Sequence, residues 1–158
     1  MNSNVNIVFA RVDNRLVHGQ VGMVWSNIAQ ANLIVVVDDE VAEDAFQQKL
    51  MQMTLSGSSL GIRFWSVEKT IKDIWKASDK QKIFIVTKTP QVMNTLIQND
   101  IPIKSVNLGN MHSAPGKKLI AGNYIYADDQ DMESINQMKE KGVEVSAQVL
   151  PEYDKIIL

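Results

Sequence analysis

Cysteine is missing from this chain, which excludes a disulfide framework and any thiolate metal site. No apolar run reaches the roughly 18 residues that a membrane span needs, so direct membrane insertion is not expected. Met1 to Ala10 shows neither the charged n-region nor the apolar h-region of a secretory leader, and the cytoplasm is the expected compartment. A basic excess is also lacking: 16 Lys and Arg stand against 18 Asp and Glu, for a net charge of -2. Nonspecific nucleic-acid binding normally shows as a basic face or stripe, so no nucleic-acid partner is expected. Neither GxGxxG nor GxxxxGK[ST] occurs, which removes the two commonest nucleotide loops. Linkers, internal repeats and low-complexity segments are absent, and the 158 residues are read as one domain, 1–158.

Hydrophobic residues make up 45% of the chain, enough for a substantial core. Short apolar runs at Val5 to Ala10, Leu33 to Val37, Ile62 to Trp65, Lys82 to Thr87, Ser105 to Leu108, Tyr124 to Ala127 and Val143 to Val149 read as strands. Between the first two, Val21, Val24, Trp25, Ile28 and Ala29 share one face at helical spacing. So do Ala42, Ala45, Phe46, Leu50 and Met53 further on. Weaker helical patterns follow around Val67 to Ile74, Met93 to Ile97 and Met132 to Met138. Pro90 suits a helix start and Gly142 a helix end. Strands alternating with helices predict an α/β fold with an open, mainly parallel sheet and helices on both faces.

In such sheets ligands bind outside the carboxyl ends of the strands. The segment ARVDNRLVHGQVG at Ala10 to Gly22 leaves the first of those ends with far more charge than a turn requires. Gly19 and Gln20 open the following helix, whose unpaired first-turn N–H groups and positive dipole end favour an anion beside His18. General-base work would want a carboxylate to hold the imidazole tautomer, and Asp13 could serve. Metal binding would need more ligands than one further histidine supplies. Nucleophilic attack of a neutral imidazole on phosphorus fits better, with Arg15 holding phosphate oxygens through its planar fork. A solvated or locally hydrogen-bonded histidine is the competing reading.

RVDNRLVHGQV closely resembles the active-site segment of the IIB components of the bacterial phosphoenolpyruvate-dependent sugar phosphotransferase system, mannose/fructose/sorbose family. The resemblance continues through VVVDDEVAEDAFQQKLM, RFWSVEKTI, DKQKIFIVTKTP and VNLGNMHSAPGKK, covering nearly the whole chain. Gly109 to His112 and Arg63 to Trp65 look most like the N-acetylgalactosamine or galactosamine branch. The resemblance implies a seven-stranded, mainly parallel sheet, no cofactor and no metal. It implies that His18 takes a phosphoryl group from a phospho-IIA protein and passes it to a sugar carried in by membrane IIC and IID subunits, with the protein peripheral to the inner face of the membrane. Arg15 is then the phosphate-binding arginine, Asp13 a catalytic neighbour, and Arg11, Gly19, Gln20 and Thr87 phosphate contacts. Asn14 stands where many relatives carry a second Asp.

Asn110 and His112 are expected at the rim of the site, with Gly109 and Gly116 permitting φ > 0 in their loop. Thr87 reaches phosphate only if its strand neighbours the first. Asp38, Asp39 and Glu40 read as helix capping more than as a Mg²⁺ site. The three tryptophans read as core, Met51 and Met53 as core or contact surface, and Lys117 with Lys118 as a solvated pair. Arg11, Arg15 and one of those lysines would surround an apolar docking patch that includes Met23 with positive potential. The alternative is a regulatory or ligand-sensing module on a flavodoxin-like sheet, holding an anion without turnover.

Overall fold

The computed structural model describes residues 5–158; Met1 to Asn4, the start of the stretch read above for a leader, lie outside the described residues. Nine strands and five α-helices alternate along it. They are β1 (Asn6–Asp13), α1 (Val21–Ala29), β2 (Leu33–Val37), α2 (Ala45–Thr54), β3 (Gly61–Trp65), α3 (Val67–Asp73), β4 (Lys82–Thr87) and α4 (Pro90–Gln98). Then come β5 (Ser105–Asn110), β6 (Lys118–Ala121), β7 (Ile125–Ala127), α5 (Asp129–Glu140), β8 (Glu144–Ala147) and β9 (Ile156–Ile157).

The main sheet has seven strands in the order β3-β2-β4-β1-β5-β8-β9, parallel except where β9 runs back along β8. All five residues of β2 are buried. Its LIVVV run is unbroken by polar residues because both faces of a central parallel strand are covered. One core lies under α3, α4 and α5 and contains Ala10, Val12, Ile83, Ile85, Leu96 and Met138. The other lies under α1 and α2 and contains Trp25, Ile34, Val36, Phe84 and Val86.

Seven strands were expected in the main sheet, but one member is different. The Tyr124 to Ala127 run pairs antiparallel with β6 in a separate two-stranded ribbon, and the seventh place belongs to the short β9. A two-residue edge strand has too little apolar pattern to read, and a hairpin strand and a sheet strand look alike in a short apolar run. β1 also continues past Ala10 to Asp13, so Arg11 and Asp13 are strand residues rather than loop residues.

The helix faces differ too. In α1 the buried residues are Gly22, Trp25 and Ser26, while Ile28 is 62% exposed. In α2 Met51 is buried and Phe46, Leu50 and Met53 face solvent. The Phe46-Leu50-Met53 stripe has the same helical spacing as the buried pair Met51 and Leu55, and periodicity alone does not say which stripe meets the sheet. Asp44 caps this helix by accepting from the N–H groups of Phe46 and Gln47.

Candidate functional site

The parallel register sets Arg11 of β1 beside Asn107 of β5, and Val12 between Thr87 on one side and Leu108 on the other. Alternation along β1 then sends Ala10 and Val12 into the α4 and α5 core, and Phe9, Arg11 and Asp13 to the α1 face. On that face Phe9 stacks on Trp25 with ring centroids 4.8 Å apart, and the Arg11 guanidinium lies over the same indole at 5.8 Å.

Asp13 ends the strand and folds the turn that follows. Its carbonyl accepts from the Leu16 N–H at 2.9 Å, and its Oδ1 accepts from the Arg15 N–H at 2.9 Å. An Asp at the first position of a turn favours this side-chain to backbone bond. Leu16 has φ 58 and is buried with Val17 in the α1 and α2 core. Their anchoring leaves Arg15 exposed and His18 half-buried at the mouth of the turn. Gly19, with φ 51, then leads through exposed Gln20 into α1.

The other Asp13 oxygen organises the chemistry. Oδ2 accepts from Arg11 Nε at 3.3 Å and Nη2 at 3.0 Å, and it lies 2.9 Å from His18 Nε2. Burial pushes the Asp13 carboxyl up, but the His18 bond, the Arg11 charge and the Arg15 N–H outweigh it and hold the group below the usual carboxylate range. An ionised Oδ2 only accepts, so the imidazole proton belongs on Nε2 and the lone pair belongs on Nδ1.

Arg11 is fully buried. Burial lowers its pKa, and Asp13 pulls it back up. Its Nη1 donates to Asn107 Oδ1 at 2.7 Å and to the carbonyls of Gln148 at 3.3 Å and Val149 at 3.1 Å. The expectation that Arg11 contacts phosphate or lends surface potential is therefore corrected: its N–H groups are spent inside the protein, on the carboxylate that holds His18. Arg15 is the cation left over, making no side-chain hydrogen bond or ion pair among the described residues.

Thr87 neighbours β1 as required, yet it is fully buried and its hydroxyl donates to the Thr89 carbonyl at 2.9 Å. It is not placed to meet phosphate. The N-terminus of α1 is different from those of the other helices. Asp44, Ser66, Thr89 and Asp128 cap α2 to α5 through their side chains, whereas Gln20 makes no side-chain cap bond and no acidic residue lies in the first turn. The Val21 N–H donates to the His18 carbonyl at 3.2 Å, and the N–H groups of Gly22 and Met23 are left without a partner among the described residues.

Asn110 and exposed His112, the expected rim residues, are both tied to Asn14. The Asn14 N–H donates to the Asn110 carbonyl at 3.1 Å, and Asn14 Oδ1 accepts from the His112 N–H at 2.6 Å. An amide at position 14 does what an aspartate acceptor would do there, tying the two loops together. Gly116 has φ +85 as expected, but Gly109 does not have positive φ. A Cβ at Gly109 would fall 1.9 Å from Arg11 Cζ, so glycine serves close approach there. Lys117 pairs with Asp131 at 2.9 Å rather than standing in solvent. Asp38 accepts from the Val41 N–H just after β2, the capping role expected there, whereas Asp39 reaches across to the Val67 N–H at the start of α3 and Glu40 makes no side-chain cap bond.

Sequence reasoning missed Asn107, Gln148 and Val149. The signal that was available is glycine inside the strand-like run VNLGN, which marks a bulge or a close approach. The β1-β5 register does skip residue 109, pairing Val12 with Leu108 and Asp13 with Asn110.

Residues 7–156 match the family model described as the PTS system sorbose subfamily IIB component. The N-acetylgalactosamine-specific phosphotransferase enzyme IIB component 1 of Escherichia coli is 50% identical over 92% of both chains. The crystal structure of that Escherichia coli component superposes with a TM-score of 0.93 at 48% identity, covering 97% of this chain and 99% of the other. The sorbose permease IIB domain of Klebsiella pneumoniae follows the same fold, with a TM-score of 0.87 at 26% identity over 96% and 92%.

Proposed function

The chain belongs to the sorbose subfamily of IIB components of the sugar phosphotransferase system, and on that premise we propose that His18 carries the phosphoryl group, on Nδ1. The observation that carries this reading is the 2.9 Å bond between His18 Nε2 and Asp13. It leaves Nδ1 as the nucleophile, at the carboxyl end of the central strand. An anion-sensing module without turnover has no use for an imidazole oriented in this way, and a phosphotransfer family does.

In the first step the Nδ1 lone pair attacks the phosphorus of phospho-IIA. A new P–N bond forms as the old one breaks, and the departing IIA imidazole keeps its electron pair. The Nε2 proton stays on His18, where the Asp13 carboxylate stabilises the positive charge that the ring acquires. Arg15 and the uncapped N–H groups of α1 face the phosphoryl oxygens, with Gly19 and Gln20 leaving the approach open. In the second step a sugar hydroxyl attacks phosphorus, the P–N bond breaks, the electron pair returns to Nδ1 and the hydroxyl proton passes to water.

The relatives at 50% and 46% identity are specific for N-acetylgalactosamine, which supports a sugar of the N-acetylgalactosamine or galactosamine class. IIB components work with IIA and with membrane IIC and IID subunits. Among the described residues no helix is long and apolar enough to cross a membrane. Membership of the IIB family supports peripheral attachment at the cytoplasmic face through IIC and IID.

The test is to incubate the protein with phosphoenolpyruvate, the general phosphotransferase proteins and a cognate IIA, then map the acid-labile label. It is expected on His18 alone, as the Nδ1 isomer. A label that survives in His18→Ala, or that sits on His112, overturns the assignment.

A further inference from the structure

Arg11 is held on several sides by groups outside the charged loop. Asn107 Oδ1 and the carbonyls of Gln148 and Val149 accept from its Nη1. Asn107 Nδ2 donates in turn to the Gln148 carbonyl at 3.0 Å. The Gln148 side chain closes the turn by donating to the carbonyls of Pro151 at 3.3 Å and Tyr153 at 2.8 Å. The Val149 carbonyl also accepts from Trp25 Nε1 at 3.1 Å, so one carbonyl joins the C-terminal turn, α1 and Arg11. Gly109, the residue skipped in the β1-β5 register, leaves the space that the guanidinium occupies.

A buried arginine needs its charge and its donors matched. A cradle so constructed fixes where Nε and Nη2 point, and both point at Asp13 Oδ2, the oxygen that holds His18 Nε2. We propose that Asn107, Gly109 and the Gln148-Val149 carbonyls form a positioning device for His18, acting through Arg11 and Asp13 to decide which ring nitrogen faces the phosphoryl donor. None of these residues touches phosphate; their work is to keep one imidazole tautomer and one ring orientation. The proposal rests on His18 being the phosphoryl acceptor, but its first readout does not need phosphate.

The experiment is a long-range ¹H–¹⁵N spectrum of the full chain, labelled on the imidazole nitrogens, near neutral pH. The chain has two histidines, and His18→Ala assigns them. Wild type is expected to show His18 with the proton on Nε2 only. Gly109→Ala, which crowds the guanidinium, and Asn107→Ala, which removes an acceptor without adding bulk, are both expected to bring up the Nδ1–H form of His18 while His112 stays unchanged. Transfer from phospho-IIA should slow by on the order of 10²-fold, the cost of misplacing a reacting group by about 1 Å. Wild-type His18 signals in a folded variant overturn the proposal, and slowed transfer with an unchanged tautomer reduces these residues to ordinary packing. If Gly109→Ala does not fold, Asn107→Ala decides alone. A wild-type protein that shows the expected tautomer yet takes no label on His18 would instead overturn the function, leaving the positioning result intact.

Discussion

The single aspartate at the end of β1 makes bonds of two kinds. Asp13 Oδ1 shapes the turn, and Oδ2 joins Arg11 to His18. Position 13 was legible as a tautomer-holding neighbour because histidine chemistry asks for a carboxylate. Arg11 was misread because a charge next to a motif looks like part of its surface, whereas strand alternation turned it inward. The consequence is measurable through pH. The folded pKa of Asp13 lies below its ordinary value of 3.8, so its ionised form stabilises the fold above that value, and the contribution is lost as pH falls through the lower folded value. Asp13→Asn leaves buried Arg11 uncompensated at neutral pH, a loss on the order of 3 kcal/mol. The stability gap between the two proteins should narrow as pH falls below 3.8 and close once pH passes below the lower folded value, where wild-type Asp13 is protonated as well. The depressed Asp44, Asp73 and Asp131 titrate alike in both and cancel in the difference. Denaturant titrations at a series of pH values check this; a gap that does not change with pH counts against an ionised Asp13.

At the scale of elements, the alternation of strands and helices was plain in the sequence because β2 and β4 are buried on both faces and read as unbroken apolar runs. What was not plain is which face of a helix points inward, as Phe46, Leu50 and Met53 show, and which sheet a three-residue strand joins, as Ile125–Ala127 shows. The start of α4 was legible at Pro90, where Thr89 supplies the cap, whereas the caps at Asp44, Ser66 and Asp128 were not singled out in the sequence. The missing cap at α1 is informative because four neighbours have one. If the α1 donors are kept free for phosphoryl oxygens, Gln20→Asp should have two opposite effects. The helix gains a cap worth about 0.5–1 kcal/mol, read as a higher melting temperature. Phosphorylation of His18 slows on the order of tenfold or more, since a carboxylate now sits where the phosphoryl charge must develop. A variant both more stable and equally fast would remove the helix terminus from the mechanism.

On the proposed function the whole molecule presents His18 to two partners in succession, which constrains its surface. Transfer requires phosphorus in line between two imidazole nitrogens, so IIA must approach to within about 3 to 3.5 Å of the reacting atom. Burial of Arg11 and pairing of Lys117 with Asp131 remove two cations from the docking surface that the sequence suggested. Arg15, three residues before His18, remains exposed, as does Lys118 at the start of β6. Met23 is half-buried against the α1 core and contributes only part of its side chain. Steering by so few exposed charges is screened within about 10 Å at 0.1 M salt, and a complex that must dissociate for the next transfer suits a small interface. In ¹⁵N-labelled protein titrated with IIA, shifts should therefore cluster at Asn14 to Met23 and at Asn110 to Gly116, the two loops that Asn14 ties together. Affinity should weaken as salt rises, and Arg15→Gln should flatten that dependence without moving the shifted residues. Gly57 and Gly142 lie on the connections that lead into the amino ends of β3 and β8. Shifts confined to their neighbourhood would place IIA at the opposite end of the strands, too distant for phosphorus to pass to His18.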